Sequence, residues 1–530
     1  MKFIIELQKK SWKIFKKNKV TIYFNGYLNS ESLEANIYEI FKNAFFVQKL
    51  KSIFRKLDGH FSIIIFSNQK VIFSVDCART IPLIYYIKKN KVIIADNLEG
   101  IKRNTKEFLT IDKIQSKCLA MTGYTFGKGS LYKEIKSLNY GEFCYIDKFK
   151  CTEISYYNWK PFIKKYNSYE AEKKKLKDIN HIIIEKLISS LNKKTAVIPL
   201  SAGLDSRLIL SGLKTKKYKD IISFSYGRLR NREVKTAKSL AEYLNIPWYY
   251  IQYNNLLQKK TLSSKSYIKY KSYADTATSV HFPQDFLAIQ TLKQKKLIPD
   301  KSVIINGQTG DFISGNHLFN NSKSLSIKKI FDFYYNKHFK LWKNLQDSNK
   351  NTIFKIFKDR VEKNLNLSTS KNLQEVFQKV EFEDRQSKYV INGQRLYEYF
   401  GYEWRLPLWD IMYMNFWEKV DIDFKYDQKL YKETLVEQNW ANVWKNIPIN
   451  PRSQFSYQLE LIRFFFKIIF FPVGKNKWHK FEKKYLEYFM SLLCGYANWS
   501  YLKIIRDNRG FSSPLSWHVE EYLNNKKINW

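Results

Sequence analysis

"KKTAVIPLSAGLDSRLILSGLK", residues 193–214, combines a strand, a turn and a helix start in that order. The residues up to Leu200 are apolar and extended, the turn at 201–206 consists mainly of small and hydroxyl residues, and a helical pattern follows. A helix that begins directly after a buried strand presents unpaired N–H groups and the positive end of its dipole. The stretch therefore predicts an anion-binding turn at the carboxyl end of a buried strand.

The composition of this turn indicates which anion it binds. Ser201 and Ser206 supply hydroxyl donors, and Asp205 can hold Mg²⁺ against phosphate oxygens. The turn lacks the GK[ST] ending of a Walker A loop, and no G-x-G-x-x-G dinucleotide motif is present. Pyrophosphate, the group released when ATP adenylylates an acceptor, fits such a turn. A plain loop with Asp205 as a helix cap is the alternative interpretation.

Strands and helices alternate after the turn. Residues 220–227 and 248–253 have strand composition, with a helical segment between them, and a fourth strand at 301–306 ends in a polar loop that contains Asp311. This alternation predicts a parallel sheet whose ligand lies at the carboxyl ends of the strands. Asp205 and Asp311 are therefore expected to converge on one metal–phosphate cluster.

The length of 530 residues favours two or more domains. Residues 1–160 are expected to form short strands and turns, including a hairpin that turns at 67–70. Residues 169–440 hold the alternating pattern and become mostly helical from about residue 320. Residues 441–530 are predicted to form a helical C-terminal extension.

The net charge is +42, from 91 basic and 49 acidic residues. The lysines are scattered in ones and twos rather than massed in one arm, which is typical of a compositional bias. Binding to nucleic acid or to an anionic surface is the alternative explanation.

Cysteine usage and hydropathy predict a cytoplasmic protein. The five cysteines are odd in number and form no C-x-x-C pair, which favours a reduced compartment without disulfides or a zinc site. No signal peptide is expected. The most apolar segment, residues 461–474, contains Arg463 and Lys467 and is shorter than the roughly 20 apolar residues of a membrane span. We expect a buried helix there.

Further motifs occur in order along the chain. "PLSAGLDS" (199–206), "INGQTGDFISGNH" (305–317) and "YEWRLPLWD" (402–410) resemble the pyrophosphate loop, the second acidic loop and the E-x-R-x-P-[FL]-x-D segment of the asparagine synthetase family. Residues 24–33 ("FNGYLNSESL"), 57–86 and 123–142 resemble its glutaminase-type N-terminal domain. The resemblance spans roughly residues 20–440. It implies an α/β fold, with a truncated Ntn-hydrolase-like αββα domain, an α/β ATP-pyrophosphatase domain (adenine nucleotide α-hydrolase-like) and a helical C-terminal region.

The resemblance also implies a set of site residues. Pyrophosphate would be cradled by Ser201, Gly203, Asp205 and Ser206, and Mg²⁺ would be held by Asp205 and Asp311. The adenine of ATP would be bordered by Leu200, Tyr226, Asn306 and Gly307. Lys429 matches the family lysine that neutralises charge developing on phosphate, with a solvated surface role as the alternative.

The same resemblance leaves two groups of charged residues with open roles. Glu403, Arg405 and Asp410 either shape a pocket for the substrate carboxylate or form a purely structural network. His281 and His317 fall near the expected site, and we expect supporting or surface roles for both.

The N-terminal region departs from the family pattern. Lys2 stands where the family has its catalytic cysteine, and Tyr27 replaces the glutamate that follows Asn25–Gly26. Only 24 residues precede Asn25, so we expect the nucleophile strand to be missing. None of the five cysteines is a substitute, and Cys77 is expected in the core. The N-terminal domain is therefore predicted not to hydrolyse glutamine.

The second acidic loop departs as well. Gln308 stands where the family has a glutamate thought to act as a base, and an amide cannot accept a proton at neutral pH. Phe312 replaces a second glutamate, and Ala202 replaces the first glycine of the pyrophosphate loop. The attacking amine would have to lose its proton to another group, to water or to a product oxygen.

These observations together imply an ATP- and Mg²⁺-dependent amide ligase that adenylylates a small-molecule or sugar carboxylate. Asp205, Asp311, Lys429 and Gln308 are the candidate catalytic residues. Ammonia from solution, an amine or a separate glutaminase would supply nitrogen, and a sugar acid of surface-polysaccharide biosynthesis is the favoured acceptor. We expect no membrane span and no nucleic-acid partner, and a homodimer is compatible with the sequence. A tRNA-modifying ATP-pyrophosphatase, which the +42 charge favours, and a non-catalytic scaffold are the alternatives.

Overall fold

The computed structural model describes residues 2–8, 11–29, 33–67, 69–88, 90–105, 107–148, 150–161, 167–229, 231–319, 326–364, 373–450 and 455–530. Its strands are β1 (Lys2–Glu6), β2 (Lys13–Lys17), β3 (Val20–Leu28), β4 (Gly59–Phe66), β5 (Lys70–Val75), β6 (Ile84–Lys88), β7 (Lys91–Ala95), β8 (Ile135–Ser137), β9 (Glu142–Asp147), β10 (Lys150–Ser155), β11 (Ala196–Pro199), β12 (Ile221–Gly227), β13 (Trp248–Gln252), β14 (Val303–Ile305) and β15 (Glu403–Arg405).

The α-helices are α1 (Leu33–Lys42), α2 (Val47–Lys56), α3 (Leu98–Asn104), α4 (Lys113–Thr122), α5 (Tyr169–Leu191), α6 (Leu204–Thr215), α7 (Arg232–Tyr243), α8 (Asn255–Leu262), α9 (Lys265–Ala274), α10 (Phe286–Gln294), α11 (Gly310–Ser314), α12 (Ile327–His338), α13 (Lys343–Asp359), α14 (Leu373–Glu381), α15 (Arg395–Tyr399), α16 (Ile411–Lys419), α17 (Ile422–Lys425), α18 (Lys429–Gln438), α19 (Tyr457–Phe470), α20 (Lys475–Phe481), α21 (Glu487–Met490), α22 (Tyr501–Arg506) and α23 (Pro514–Asn525). Single π-helical stretches cover Arg360–Asn364, Phe382–Val390 and Glu482–Leu486, and 3₁₀ turns cover Ile391–Gln394, Pro407–Trp409, Tyr426–Gln428 and Trp440–Asn442.

The N-terminal unit is a sandwich of two sheets. The antiparallel six-stranded sheet has the order β10-β9-β5-β4-β3-β2, and the four-stranded sheet has the order β1-β7-β6-β8. Their inner faces meet where the rings of Phe73 and Tyr85 lie 5.2 Å apart. Helices α1 and α2 pack on the outer face of the larger sheet, and α3 and α4 pack on that of the smaller one. These are the four layers of the expected αββα arrangement.

The predicted hairpin is confirmed, because β4 and β5 pair antiparallel and Phe66 lies opposite Val71. Asn68 of its turn lies outside the described residues. The expected loss of a strand before Asn25 is wrong. Two strands, β1 and β2, precede that residue. Strand β1 pairs in parallel with β7, and β2 pairs antiparallel with β3. The apolar Phe3, Ile4 and Ile5 favour a half-buried strand, and a comparison of motif spacing did not reveal this.

The second unit is built on a parallel five-stranded sheet with the order β13-β12-β11-β14-β15. The predicted alternation of strands and helices between residues 196 and 305 is confirmed. The fifth strand, β15, lies in the region expected to be helical. It spans only three residues, which is too short for a periodic signal. Strand β11 lies in the centre, so its carboxyl end has a strand on either side.

The apolar segment at residues 461–474 does not form the buried helix that its composition predicts. It belongs to α19, of which only Leu459 is buried, and to the turn that follows. Length and the number of apolar residues cannot distinguish a buried helix from an exposed apolar one, because both have the same composition. No described helix combines the length and hydropathy that crossing a bilayer demands.

Candidate functional site

The loop between β11 and α6 carries the hydroxyl groups that the sequence singles out. Gly203 is the N-terminal cap of α6, and no side chain caps that helix end. The hydroxyls of Ser201 and Ser206 lie 3.2 Å apart, and the Ser201 hydroxyl accepts a hydrogen bond of 3.2 Å from the Gly203 amide. The loop is thus held in a tight curl, and the positive end of a 12-residue helix faces it.

The two predicted carboxylates come together. The amide of Asp311 donates a 3.2 Å hydrogen bond to Oδ2 of Asp205, and the hydroxyl of Tyr431 donates one of 2.9 Å to Oδ1. Glycines allow this approach, because a Cβ atom on Gly310 would collide with the Asp205 carboxylate and one on Gly307 would lie 2.9 Å from its Cβ. The backbone of the Asp311 loop therefore lies in direct contact with the side chain of Asp205 in the first loop.

The electrostatics of the pair are unequal. Burial, and then the charge of Asp311, raise the pKa of Asp205 to about 8. Burial acts in the same direction on Asp311, but the hydrogen bond and charge of His317 outweigh it and lower the pKa of that carboxyl. At neutral pH the protonated form of Asp205 and the ionised form of Asp311 are therefore favoured, and a cation bound between the two groups would favour ionisation of both.

Carboxylate oxygens are suitable donors for Mg²⁺, which in nucleotide sites is held by one or two carboxylates together with substrate phosphates. Asp205 and Asp311 fit that pattern. Among the described residues, no group of three or more His, Cys, Asp or Glu side chains is arranged to hold a metal ion. The pair would therefore depend on phosphate oxygens to complete the coordination of the metal.

A cavity of about 550 Å³ opens beside the loop. Leu200 and Tyr226, two of the predicted neighbours of adenine, line it together with Ser201 of the loop. The Tyr226 ring stacks on Tyr253 at 5.2 Å, and its hydroxyl is hydrogen-bonded to Asp285. Cavities that bind small molecules usually have volumes of roughly 300–1,000 Å³, so this one is large enough for a nucleoside.

Asn306 and Gly307 do not line this cavity. Gly307 lies against Asp205. The side-chain amide of Asn306 donates a 2.8 Å hydrogen bond to the hydroxyl of Tyr397. Tyr397 in turn donates to Asp285 at 2.7 Å. Asn306 therefore reaches the cavity only indirectly, because Asp285 also accepts from the cavity-lining Tyr226.

The C-terminal region forms a wall of the cavity that the sequence motifs do not predict. Ser491 to Gly495, with Pro514, Leu515 and His518, line it together with Leu200. Arg228 fixes this wall through its amide to the Leu492 carbonyl and its side chain to the Ser491 carbonyl, both at 2.8 Å. These contacts use backbone carbonyls, so no local pattern in residues 491–495 could have revealed them.

The second pair of candidate catalytic residues is placed less directly. The backbone amide of Gln308 donates a hydrogen bond of 2.9 Å to Oδ1 of Asn306. The buried side-chain oxygen of Gln308 has no hydrogen-bond partner among the described residues. Lys429 is exposed, and its amine lies 5.1 Å from the ring centre of Tyr169 rather than in an ion pair with either aspartate.

The expected Glu403–Arg405–Asp410 network is divided in two. Arg405 pairs with Glu403 at 3.2 Å, and it also donates to the Ser190 hydroxyl. Asp410 instead pairs with Lys186 at 3.1 Å. The Lys186–Asp410 ion pair therefore joins α5 to the segment that follows β15, whereas the Arg405–Glu403 pair lies within β15.

His317 occupies a more central position than expected. Its Nε2 lies 3.6 Å from Oδ2 of Asp311, and its Nδ1 lies 2.6 Å from Oε1 of Glu381. Glu381 is fully buried and also contacts His338 at 3.4 Å. His281 is buried elsewhere, with Nε2 2.7 Å from the Tyr267 hydroxyl. The carboxylate that pairs with His317 lies 64 residues away in the sequence, beyond the reach of a local motif.

In the glutaminase-like region, the Tyr27 side chain makes two close contacts. The Tyr27 hydroxyl lies 2.6 Å from Nδ1 of His60, and the Arg405 guanidinium lies 4.1 Å from the centre of the Tyr27 ring. Burial and the neighbouring Asp76 raise the pKa of the Cys77 thiol well above its usual value, which disfavours the nucleophilic thiolate.

Comparisons with known proteins give a family match over part of the second unit. A family model described as queuosine biosynthesis protein QueC matches residues 195–290, a segment that begins just before the Ser201–Ser206 loop. Over that segment the chain is similar to a domain of the ATP-pyrophosphatase type. No curated protein matches the chain.

Similar solved structures include an amidotransferase and a regulatory enzyme. One is glutamine phosphoribosylpyrophosphate amidotransferase from B. subtilis complexed with ADP and GMP (TM-score 0.20, 9% identity, covering 56% of this chain and 63% of that chain). Another is described as the allosteric regulatory enzyme of purine biosynthesis (TM-score 0.20, 12% identity, covering 60% and 59%). The chain thus spans less than two thirds of the length of either protein.

A third similar structure is the NH₃-dependent NAD synthetase from Campylobacter jejuni subsp. jejuni in complex with nitrate (TM-score 0.22, 14% identity, covering 41% of this chain and 94% of that chain). At this low similarity none of the three carries an argument about function, and none is an asparagine synthetase. That more specific resemblance therefore remains a hypothesis based on motifs.

Proposed function

We propose that the chain is an ATP- and Mg²⁺-dependent ligase that activates a carboxylate as an acyl-adenylate and converts it into an amide. The observation that carries this proposal is the convergence of the Ser201–Ser206 loop and the Asp311 loop beside a nucleoside-sized cavity. In a bound complex, the adenosine would lie against Leu200 and Tyr226. The β- and γ-phosphates would face the amides and hydroxyls of the loop.

The proposed reaction has two steps. A carboxylate oxygen of the acceptor attacks the α-phosphorus of ATP, the bond between the α- and β-phosphates breaks, and pyrophosphate leaves. A nitrogen nucleophile then attacks the acyl carbon and displaces AMP, and its proton passes to another group, to water or to a product oxygen. Asp205 and Asp311 would hold Mg²⁺, which supplies positive charge against the phosphate oxygens. The amides and hydroxyls of the loop would stabilise the leaving pyrophosphate by donating hydrogen bonds to it.

The nitrogen would come from ammonia, from an amine or from a separate glutaminase. The Tyr27–His60 contact and the unreactive Cys77 support a domain that does not release ammonia from glutamine. Gln308 and Lys429 stay as candidate residues for the amide-forming step. The motif resemblance favours a sugar acid of surface-polysaccharide biosynthesis as the acceptor.

An exchange experiment tests the proposal. ATP–[³²P]pyrophosphate exchange would be measured with Mg²⁺ against a panel of amino acids and uronic-acid sugars, for the wild type and for Asp205→Ala. Exchange that needs one carboxylate and is lost in the variant supports adenylylation and identifies the substrate class. An absence of exchange combined with an absence of ATP binding by calorimetry would contradict the enzyme and favour a scaffold. Binding of tRNA that weakens steeply with salt would favour the RNA-modifying alternative.

A further inference from the structure

The hairpin made of α19, the turn at 471–474 and α20 exposes an unusually apolar surface. The exposed side chains on α19 recur at helical spacing and so share one side of the helix: Tyr457, Leu461, Phe464, Phe465 and Ile468. Ile462 and Ile469 widen this surface, and Phe471, 87% exposed, extends it into the turn. We call these eight residues the outer face of the hairpin.

The hairpin holds together without its outer face. On the opposite side of α19, Leu459, Phe466 and Phe470 pack against Trp478 and Phe481 of α20. Leu486, in the stretch after α20, completes this small core. The rings of Phe470 and Trp478 lie 5.9 Å apart. A soluble helix normally buries one apolar stripe, whereas α19 has a buried stripe and a second, exposed one. Contiguous exposed apolar surface of this kind marks an interaction site.

The charge around the outer face is positive. Six exposed lysines lie on the hairpin and directly after it: Lys467, Lys475, Lys477, Lys480, Lys483 and Lys484. The carboxylates of Glu460 and Glu482 are both paired with Arg463, at 3.0 and 2.8 Å. None of the six lysines forms an ion pair with a described carboxylate, so their charge is presented to solvent.

We propose that this hairpin docks on the surface of an anionic lipid bilayer, with the outer face in the interfacial layer and the lysines at the headgroup phosphates. An apolar helix face flanked by lysines, with Phe and Leu on the apolar side, is the composition of helices that lie in a membrane interface. A typical protein–protein interface carries about ten hydrogen bonds, whereas the only hydrogen-bonding side chain of the outer face is that of Tyr457. The overall charge of +42 adds a long-range attraction to the same surface.

Described segments on both sides of the hairpin contact the candidate site. Before the hairpin, the amide of Asn450 donates a 3.2 Å hydrogen bond to the carbonyl of Ala202 in the pyrophosphate loop. After it, Leu492 and Leu493 line the cavity beside that loop. The proposal concerns binding alone, so it stands or falls independently of the ligase chemistry.

Co-sedimentation of the full chain with lipid vesicles tests the proposal. Vesicles of phosphatidylcholine mixed equally with phosphatidylglycerol would be compared with vesicles of phosphatidylcholine alone. We expect binding to the anionic vesicles that weakens with salt and falls by about tenfold or more in Phe464→Ser/Phe465→Ser/Ile468→Ser. A matched control, Phe108→Ser/Leu229→Ser/Leu256→Ser, removes side chains that are 99%, 62% and 78% exposed elsewhere, and should bind as the wild type does.

The charge contribution is tested in the same way. Lys475→Gln/Lys477→Gln/Lys480→Gln should weaken binding more than Lys16→Gln/Lys19→Gln/Lys56→Gln, although both triple variants lose the same net charge. Hydrogen exchange of the wild-type chain should show added protection of residues 457–471 on anionic vesicles. Absence of vesicle binding, or equal loss in hairpin and control variants, would overturn the proposal. So would a lipid-free dimer that dissociates when the outer face is substituted, because a second copy would then cover that face.

Discussion

The backbone amide of Asp311 donates a hydrogen bond to the carboxylate of Asp205 across 106 residues of sequence. This bond ties the loop after β14 to the loop after β11, and it involves the side chain of only one of the two residues. Substitution of the Asp311 side chain would leave the bond in place, whereas substitution of Asp205 alters it directly. The two carboxylates therefore have different structural consequences although they share one proposed ligand.

Asp205→Asn should stabilise the protein while it abolishes pyrophosphate exchange. The pKa of Asp205 is raised from 3.8 to about 8, mainly by burial. The stability that this group contributes is therefore complete below its unfolded pKa and is lost as the pH rises through the folded one. We expect the variant to gain about 1–2 kcal/mol in urea unfolding at alkaline pH, measured without Mg²⁺, and to gain nothing at acid pH.

Asp300→Asn is the control for this prediction, because Asp300 is exposed. It should change neither stability nor exchange. An Asp205→Asn variant that loses stability at alkaline pH would show that the carboxylate is paired in solution rather than desolvated.

Leu493→Trp should weaken ATP binding. The larger side chain would occupy part of the cavity of about 550 Å³ that Leu493 lines, and a bound base would have to displace it. We expect about a tenfold or greater loss of affinity by calorimetry, equivalent to about 1.4 kcal/mol. Leu502→Trp is the matched control, since Leu502 is 53% exposed and does not line the cavity. Equal affinity in both variants would place the base elsewhere.

His317→Asn should destabilise the protein more at mildly acid than at alkaline pH. Burial opposes the charged form of His317, but Glu381 and Asp311 outweigh it and raise its pKa above 6.5. The stabilisation is therefore present below 6.5 and is lost as the pH rises through the folded pKa.

We expect a cost of about 2–4 kcal/mol near pH 6 and a smaller cost near pH 9, from denaturant unfolding at both values. His479→Asn, at an exposed histidine on α20, should cost little at either pH. A pH-independent loss in His317→Asn would mean that the ring contributes packing rather than charge.

Ammonium should support amide formation where glutamine does not. With the acceptor found by exchange, AMP and amide should accumulate with ammonium or an amine, and no glutamate should appear when glutamine is supplied. The reason is the absence of an activated thiol at Cys77, whose pKa is raised by burial. Glutamate release by the purified chain, unaffected by Cys77→Ser, would show that another group acts as the nucleophile.

The parallel sheet and the pairing of its two acidic loops could be predicted from sequence because both depend on local patterns. Residues 193–214 alone predict a buried strand followed by small residues and a helix. The carboxyl ends of neighbouring parallel strands lie at the same edge of a sheet. That geometry places Asp205 beside Asp311. The five-strand order itself required coordinates, since no local pattern in the sequence says which strands pair.

Other parts of the site depend on contacts that have no sequence pattern. The cavity wall at 491–495 is attached through backbone carbonyls to Arg228, and any residues could supply those carbonyls. The Glu381–His317 pair joins groups whose separation matches no motif. The exposure of α19 could not be predicted from the sequence either. Hydropathy indicates how apolar a segment is, but not which of its side chains are covered by the rest of the protein.

The cavity wall has a consequence for synthesis of the chain. Leu200 and Tyr226 leave the ribosome long before Leu515 and His518, yet all four line one cavity. Domains tend to fold as they emerge, so a nascent chain would form the sheet and its phosphate loop with one side still open. Affinity for ATP would then be acquired late, as the final segments dock, and a truncated product would be a folded sheet without a nucleotide pocket.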